Sequence, residues 1–285
     1  MGATKTVLVT GATGFIGRAT LPALAAAGWH ITRGSRLASE SIGKGSVLLD
    51  LSEPATLLVL AKQSRFDAIV HLGAQVGWSG ATESKMFVPN VLSTGCLAYL
   101  ASLWGAQLVF ASTAIVHGAR QEAIESDSSI CPDTAYAKSK WLGEQLLVAA
   151  PVHHCILRIA GVFGYGGPAH LGMNCAIDGA MKGNPPVQIG SGGALRNYIY
   201  VKDVARAIVC ALQERLEGAH LLAGHEVMPV SRMLQDVCDL FLPGQHPVLK
   251  NGPEAMNQVI KPSIALPVPR RFREALIDMR KECCP

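Results

Sequence analysis

TVLVTGATGFIG, residues 6–17, joins five residues typical of a buried strand to three glycines and the start of an apolar helix. Gly11 follows the strand directly, Gly14 comes three residues later, and Gly17 falls on the first helical turn. A glycine turn in this context lets the backbone approach a phosphate, which the helix N-terminus attracts. A plain strand–turn–helix is the alternative, but the position of the third glycine favours a dinucleotide-phosphate turn.

The same alternation of strand and helix continues along the chain. Apolar runs predict further strands at 30–35, 46–51, 68–74 and 108–113, and helices over 15–27, 83–104 and 134–150. Continuous apolar strands between helices predict an α/β fold, a Rossmann-like doubly wound parallel sheet. Asp203 is predicted as the N-cap of a later helix.

Beyond residue 165 the chain becomes rich in glycine and proline, which indicates a change of organisation. We therefore expect a dinucleotide-binding Rossmann domain over 1–165 and 195–224. The remaining segments, 166–194 and 225–285, are expected to form a smaller C-terminal substrate-binding lobe.

Composition excludes several classes of protein. The 285 residues are 49% hydrophobic and 16% charged with a net charge of +4, which is typical of a globular chain with a large core. The basic residues near the C-terminus lack interleaved aromatics, so we expect no nucleic-acid partner. Eight cysteines without a C-x-x-C pair predict reduced thiols and no metal site.

The apolar runs also bear on the membrane. We read no apolar stretch of the roughly 18 residues that a membrane helix needs. The N-terminal residues lack the features of a signal peptide. The expectation is a soluble, cytoplasmic protein with no membrane partner.

DTAYAKSKWLGEQL, residues 133–146, places Tyr136 and Lys140 four residues apart. On a helix both side chains would lie on one face, about one turn apart. A lysine beside a phenol favours the phenolate and lowers its pKa, which would make a general base usable near neutral pH. Taken alone, this spacing is a common accident.

Several motifs together resemble the extended short-chain dehydrogenase/reductase family, in its branch of nucleotide-sugar epimerases and reductases. TGATGFIG and Tyr136-x-x-x-Lys140 resemble its glycine motif and catalytic pair. Four further segments match in order: HLGA (71–74), STAIVHG (112–118), LRIAGVFG (157–164) and RNYIYVKDVARAI (196–208). The resemblance covers about residues 5 to 225.

The resemblance implies three catalytic residues. Tyr136 would exchange a proton with the substrate oxygen, and Lys140 would lower the pKa of Tyr136 and bind the nicotinamide ribose. Counting back from His117, which replaces the family's usual tyrosine, identifies Thr113 as the hydroxyl residue that binds the reacting oxygen. Ser112 would assist at the substrate, and His117 is expected to pack rather than to act as an acid.

The family's cofactor contacts can be assigned by position. NAD-preferring relatives carry an acid at the end of the second strand, where this chain has Ser35, followed by Arg36. NADP(H) is therefore favoured as the cofactor, and NAD(H) remains open. The predicted cofactor-binding residues are Gly11, Thr13, Gly14, Phe15, Ile16, Gly17, Ser35, Arg36, Asp50, Leu51, Leu72, Gly73, Ala74 and Lys140.

The substrate is expected to be a small molecule, a nucleotide-diphosphate sugar, with Arg196 on its diphosphate and Asn174 nearby. Ala114 and Ile115 follow Thr113 where dehydratases have acids and where 3,5-epimerase/reductases have a cysteine. A 4-keto reductase and a 4-epimerase remain, and the absent acid at position 35 favours reduction. A reductase of a non-sugar ketone and an inactive NAD(P)-binding scaffold also stay open, as does a homodimer.

Overall fold

The structure is a computed structural model that describes residues 5–36, 45–77 and 83–283. Seven parallel strands form its central sheet: β1 (Thr6–Thr10), β2 (His30–Ser35), β3 (Ser46–Leu48), β4 (Ala68–His71), β5 (Gln107–Thr113), β6 (His154–Ile159) and β7 (Gly218–Leu222). Across the sheet the order is β3-β2-β1-β4-β5-β6-β7. The strand order reverses at β1, which is where open α/β sheets bind ligands. The predicted fold class is confirmed.

Nine α-helices within the described residues connect the strands: α1 (Phe15–Ala26), α2 (Ala55–Gln63), α3 (Glu83–Phe87), α4 (Ser93–Trp104), α5 (Ala135–Ala149), α6 (Gly172–Met181), α7 (Val201–Gln213), α8 (Val230–Phe241) and α9 (Phe272–Cys283). They cover both faces of the sheet. Val7 and Val9 of β1 pack in the cluster that contains α1 and α7, whereas Leu8 packs in the cluster with α4. This alternation follows from the two-residue period of a strand.

The helix expected over 83–104 is interrupted. A π-helical turn at Val88–Leu92 separates α3 from α4. Pro89 lies in this turn and has no N–H to donate, which disrupts regular α-helical bonding. The turn packs against α5 and buries Asn90, which is 1% exposed and donates to the Ser139 hydroxyl.

One helical segment within the described residues, Ser84–Trp104, is long and apolar enough to cross a membrane by length and composition. The expectation that no apolar stretch reaches this length is therefore wrong. About half of its most apolar window, 56%, is buried within the protein. Leu97, Leu100 and Trp104 pack against the sheet, the position of a core helix.

The helix that carries Tyr136 and Lys140 begins where a cap is available. The Thr134 hydroxyl accepts a hydrogen bond from the Ala137 N–H at 3.1 Å, which satisfies one of the open donors of α5. The helix ends at Ala149, two residues before Pro151. The helix packs against β5 and against the turn that follows β5.

Asp203 is not the N-cap predicted for its helix. Tyr200 is the N-cap of α7, and Asp203 lies on its first turn, 3% exposed. The Asp203 carboxylate accepts hydrogen bonds from the Arg206 side chain at 2.8 Å and the Arg270 N–H at 2.9 Å. Asp203 thus attaches the segment before α9 to α7.

The division into a Rossmann domain and a smaller lobe stays a prediction, and its outermost residues, 1–4 and 284–285, lie outside the described part. Helices α6, α8 and α9 belong to the expected lobe in sequence. They nevertheless share one continuous hydrophobic cluster with β1, β6 and α7.

Candidate active site

The glycine turn after β1 leaves no room for side chains at two positions. Gly11 has a φ of 65°, and a Cβ there would lie 2.6 Å from the Gly73 nitrogen. A Cβ on Gly17 would lie 2.3 Å from the Gly11 carbonyl oxygen. The first contact holds β1 against the end of β4, and the second packs α1 directly onto the turn.

A cavity of about 450 Å³ opens beside this turn, at the carboxyl ends of β1, β2 and β4. Its volume lies within the range of small-molecule sites, roughly 300–1,000 Å³. The predicted cofactor residues that line it are Gly11, Thr13, Gly14, Ser35, Arg36, Asp50, Leu51, Leu72, Gly73 and Ala74. The glycine turn, the N-terminus of α1 and a cavity of this volume fit a dinucleotide whose pyrophosphate lies on the turn.

Other predicted cofactor residues lie away from this cavity. Phe15 lines a separate cavity between α1 and α7, and Ile16 packs against the core. Gly17 acts through its closeness to the turn. The prediction missed Thr10, Gly34, Leu49, Ser52, Gln75 and Pro89, which also line the cavity. Most of these are chain neighbours of predicted residues, and that adjacency was the available signal.

The three catalytic candidates come from two neighbouring elements. Thr113 ends β5, and its hydroxyl accepts a hydrogen bond from the Ile115 N–H at 3.4 Å. Tyr136 and Lys140 lie one turn apart on α5, which packs against β5 and against the 3₁₀ turn Ala114–His117. Lys140 is 1% exposed, and its Nζ lies 3.9 Å from the centre of the Phe110 ring.

Burial dominates the ionisation of this pair. It raises the pKa of Tyr136 to about 12 and lowers the pKa of Lys140 to about 7. The pKa of Tyr136 is therefore not lowered as expected, because desolvation disfavours the charged forms of both groups. The phenol is protonated at neutral pH, and the lysine is close to its midpoint.

A buried ionic network lies behind the catalytic candidates. Glu144, one turn beyond Lys140 on α5, accepts a hydrogen bond from the Ser112 hydroxyl. It also accepts bonds from Arg158 Nε at 3.2 Å and Nη2 at 2.7 Å. Arg158 Nη1 donates to His117 Nε2 at 3.2 Å, so His117 Nδ1 carries the proton that is donated to the Ser129 carbonyl at 3.1 Å.

Sequence reasoning missed Glu144 and Arg158. The spacing of Tyr136, Lys140 and Glu144 at intervals of four was a usable signal, because it places all three on one helix face. The packing role expected for His117 agrees with its burial, 2% exposed. Burial is the largest cause that lowers the pKa of His117.

A second buried network links the cofactor cavity to α4. His71 lies between Thr10 Oγ1 at 2.7 Å and Thr94 Oγ1 at 3.0 Å. Thr94 donates to the Asn90 carbonyl, so it accepts from His71 Nε2, and His71 Nδ1 accepts from Thr10. Burial holds the pKa of His71 well below its usual range, and the imidazole is neutral.

The predicted substrate residues are less well placed than the catalytic ones. The Ser112 hydroxyl is used by Glu144, on the face of β5 opposite to that of Thr113. Asn174 is buried, and its amide group accepts from the Gly164 N–H at 3.0 Å and donates to the Val162 carbonyl at 3.1 Å. Both side chains are buried and already make internal hydrogen bonds, which fixes their orientation.

Arg196 remains half-buried on the short strand Leu195–Arg196. Its Nη1 donates to the carbonyl oxygens of Leu195 at 2.9 Å and Met256 at 2.5 Å. One side of the guanidinium is thus held by the backbone. Among residues 5–36, 45–77 and 83–283, no three His, Cys, Asp or Glu side chains lie together as metal ligands would.

Known proteins resemble this chain over most of its length. Residues 7–224 match the model of the NAD dependent epimerase/dehydratase family. The dTDP-6-deoxy-L-talose 4-dehydrogenase (NAD(P)(+)) of Kitasatospora kifunensis is 31% identical over 226 residues, which cover 73% of this chain and 70% of that protein.

Two solved structures share the fold closely. The UDP-glucose 4-epimerase of Thermus thermophilus, solved in complex with NAD, is 27% identical with a TM-score of 0.76, and 90% of each chain is covered. The UDP-N-acetylglucosamine 4-epimerase of Bacillus cereus is 20% identical with a TM-score of 0.85, and 99% of this chain and 100% of that chain are covered.

Proposed function

Because the chain belongs to the NAD dependent epimerase/dehydratase family, we propose that it catalyses hydride transfer at C4 of a nucleotide-diphosphate sugar. It is an NAD(P)-dependent enzyme of the extended short-chain dehydrogenase/reductase type. Within that class, we place it first as a 4-keto reductase that uses NADP(H). The bound nicotinamide would supply the hydride, and the chain's own residues would supply the proton and the orientation.

The absence of an acid at position 35 carries the choice of reduction, and the protonation state of Tyr136 agrees with it. A ketone reductase needs a proton donor before turnover, whereas the first step of an epimerase needs a phenolate that accepts a proton. Burial raises the pKa of Tyr136 to about 12, so the donor form is the resting one. The Thr113 hydroxyl, at the end of β5, would bind the ketone oxygen and orient it towards Tyr136.

The wall of the cofactor cavity supports NADP(H). Ser35 and Arg36 line the cavity at the end of β2, where an acid would bind the 2′-hydroxyl of NAD. A guanidinium suits the oxygens of a 2′-phosphate. NAD(H) is the second candidate, because the family description and the complex of the Thermus thermophilus relative both name NAD.

A 4-epimerase is the second candidate function, since both solved structures compared above are 4-epimerases. An epimerase returns the hydride within one turnover and retains its cofactor, whereas a reductase exchanges its cofactor at every turnover. A non-sugar ketone reductase is separated from both by Arg196, whereas the spacing of Tyr136 and Lys140 argues against an inactive scaffold. If Arg196→Ala leaves the affinity for a nucleotide diphosphate unchanged, that group binds elsewhere or is not recognised.

The first experiment identifies the cofactor. Freshly purified protein is denatured, released nucleotide is identified by mass spectrometry, and binding of NADPH and NAD to the emptied protein is measured. An empty protein that binds NADPH at least tenfold more tightly, about 1.4 kcal/mol, supports the reductase. Stoichiometric NAD released from the protein would instead support the 4-epimerase, and no binding of either cofactor would overturn the hydride-transfer function.

A second experiment follows turnover. The protein is incubated with NADPH and a series of 4-keto nucleotide sugars, and nicotinamide absorbance is recorded. Consumption of one NADPH per sugar, lost in Tyr136→Phe, is the expected result. Interconversion of 4-epimers without net cofactor consumption would overturn the reductase in favour of the epimerase.

The homodimer that the family resemblance leaves open also has some support. Exposed apolar side chains lie on α4 and α5, including Tyr99, Leu103, Leu142 and Val148. Helix faces of this kind are suited to self-association. Light scattering of the wild type and of Tyr99→Glu would test it, with a dimer that dissociates in the variant as the expected result.

A further inference from the structure

Tyr136, Lys140 and Glu144 lie on one face of α5, and the proposed function assigns a role to the first two but not to Glu144. Tyr136, Lys140 and Glu144 follow each other at intervals of four, and the Glu144 side chain is only 1% exposed. A carboxylate removed from water to this degree is costly unless charged and hydrogen-bonding partners surround it. Arg158 and Ser112 are those partners, and both come from strands beneath the helix.

We propose that Glu144 is a positioning residue that keeps Lys140 in its ammonium form, and that Arg158 limits the strength of this effect. The effect on catalysis rests on the proposed hydride transfer, whereas the charge state of Lys140 does not.

The surroundings of Lys140 leave Glu144 as its counter-charge. From β5, the Phe110 ring faces the ammonium at 3.9 Å. From β4, burial holds the pKa of His71 well below its usual value, so its imidazole is neutral. From the 3₁₀ turn, His117 accepts from Arg158, and from α5 itself Tyr136 is protonated. Among these described groups, Glu144 alone carries a negative charge.

The balance of forces on Lys140 is close. Burial is the largest influence and lowers the pKa of Lys140 to about 7, while the charge of Glu144 acts in the opposite direction. A small change in either influence therefore changes the ammonium fraction near neutral pH. Arg158 pairs with Glu144 through two of its nitrogens, so the field that reaches Lys140 is that of a partly neutralised carboxylate.

Two substitutions should move Lys140 in opposite directions. Glu144→Gln removes the negative charge but keeps an amide oxygen that can accept from Ser112 and Arg158, so the fold should be retained. Arg158→Gln removes the positive charge and leaves Glu144 uncompensated. Arg158→Lys is the conservative control, because it keeps the charge.

The direct measurement is the ¹³Cε chemical shift of Lys140 in ¹³C-lysine-labelled protein, followed against pH. The signal is assigned by its loss in Lys140→Arg. We expect the midpoint to fall by at least one pH unit in Glu144→Gln, a tenfold change in the ammonium ratio, and to rise in Arg158→Gln. Arg158→Lys should titrate like the wild type.

An unchanged Lys140 midpoint in folded Glu144→Gln overturns the proposal, whatever Arg158→Gln does. Shifts of the same sign in both charge-removing variants would also overturn it, because a merely structural role predicts no dependence on the sign of the charge removed. If Arg158→Gln does not fold, Glu144→Gln and Arg158→Lys still decide.

The pH profile of kcat/KM provides the second readout and separates this inference from the proposed function. The alkaline limb should move to lower pH in Glu144→Gln and to higher pH in Arg158→Gln, because kcat/KM reports ionisations of the free enzyme. Opposite shifts of the Lys140 midpoint with no nucleotide sugar turned over would sink the proposed function alone. Turnover of a nucleotide sugar together with the same Lys140 midpoint in the wild type and both charge-removing variants would contradict this inference alone.

Discussion

The glycine turn after β1 and the polar layer beneath α5 lie on the same parallel sheet, but different kinds of contact hold them together. The turn is backbone against backbone, with Gly11 pressed on Gly73 and Gly17 on the turn itself. The layer beneath α5 is side chain against side chain, with Lys140 and Glu144 buried and Arg158 partly buried beside Glu144. The first region depends on the absence of side chains, and the second depends on the balance of buried charges.

This difference predicts two kinds of failure. A substitution in the turn meets an immovable carbonyl or amide, so its effect should be steric and independent of pH. A substitution beneath α5 changes the electrostatic balance of a buried site, so its effect should depend on pH and on the sign of the charge.

The largest effect is expected from Gly17→Ala. Its Cβ would lie 2.3 Å from the Gly11 carbonyl oxygen and 2.6 Å from the Ala12 carbonyl oxygen, and neither backbone group can move without opening the turn. We expect loss of measurable NADPH binding and a destabilisation of about 3 kcal/mol or more. Thermal unfolding and cofactor titration at pH 6 and pH 9 measure both.

Gly172→Ala is the matched control, because nothing lies within 4 Å of a Cβ at that first residue of α6. It should bind cofactor and unfold like the wild type. A Gly17→Ala protein that keeps its cofactor affinity, or loses it at only one pH, would contradict the claim that the glycine turn acts through steric exclusion.

The next largest effect is expected from Tyr136→Phe. Removing the hydroxyl deletes the proton donor and should lower kcat by about 10²- to 10⁴-fold, the usual contribution of general acid–base catalysis. Binding of NADPH should be unchanged, since the Tyr136 hydroxyl is not part of the cavity wall. A variant that retains more than a tenth of wild-type kcat with 4-keto sugars would remove Tyr136 from the chemistry.

The two regions were also unequally visible in the sequence. The glycine turn could be predicted because only glycine fits at positions 11 and 17, so single residues in the sequence reveal it. The partners of Glu144 are Ser112 and Arg158, 32 and 14 residues away along the chain. Their meeting depends on the register that places Ser112 beside Arg158 on neighbouring strands, which no local pattern encodes.

The same limitation explains the wrong expectation for the pKa of Tyr136. Spacing showed that Lys140 shares a helix face with Tyr136, but it could not show how strongly the fold desolvates the two groups. Desolvation then outweighs the attraction between the two groups. Asn174 is a parallel case, because its amide group is used by the backbone of 162–164, which motif position alone cannot reveal.

A smaller but pH-dependent effect is expected from Lys140→Met. The pKa of Lys140 is about 7 in the folded protein and about 10.5 in the unfolded chain, so the unfolded chain binds more protons between these values. The free energy of unfolding of the wild type therefore rises with pH across that window, by roughly 3 kcal/mol between pH 7 and pH 10 from this group. Methionine has no such cost, so Lys140→Met should be more stable than the wild type at pH 7, with a gap that narrows by pH 10.

Urea unfolding at several pH values measures this gap. Lys138→Met, an exposed position on the same helix, is the control and should show a gap that does not change with pH. A Lys140→Met protein that is equally destabilised at pH 7 and pH 10 would mean that the side chain serves packing, and the electrostatic half of the contrast would fail.

The smallest effect is expected where the two kinds of region meet, at Arg36. This residue lines the backbone-built cavity, but it would act through a charged and exposed side chain. Arg36→Ala should weaken NADPH binding about tenfold, close to 1.4 kcal/mol, and leave NADH binding unchanged. The loss should shrink as salt is raised from about 50 to about 500 mM, because an exposed ion pair is screened, whereas the loss in Gly17→Ala should not respond to salt.

Arg120→Ala, on an exposed loop, controls for a general change in charge. Equal losses for NADPH and NADH would show that Arg36 supports the cavity wall rather than a 2′-phosphate, and the preference for NADP(H) would then lose its structural basis.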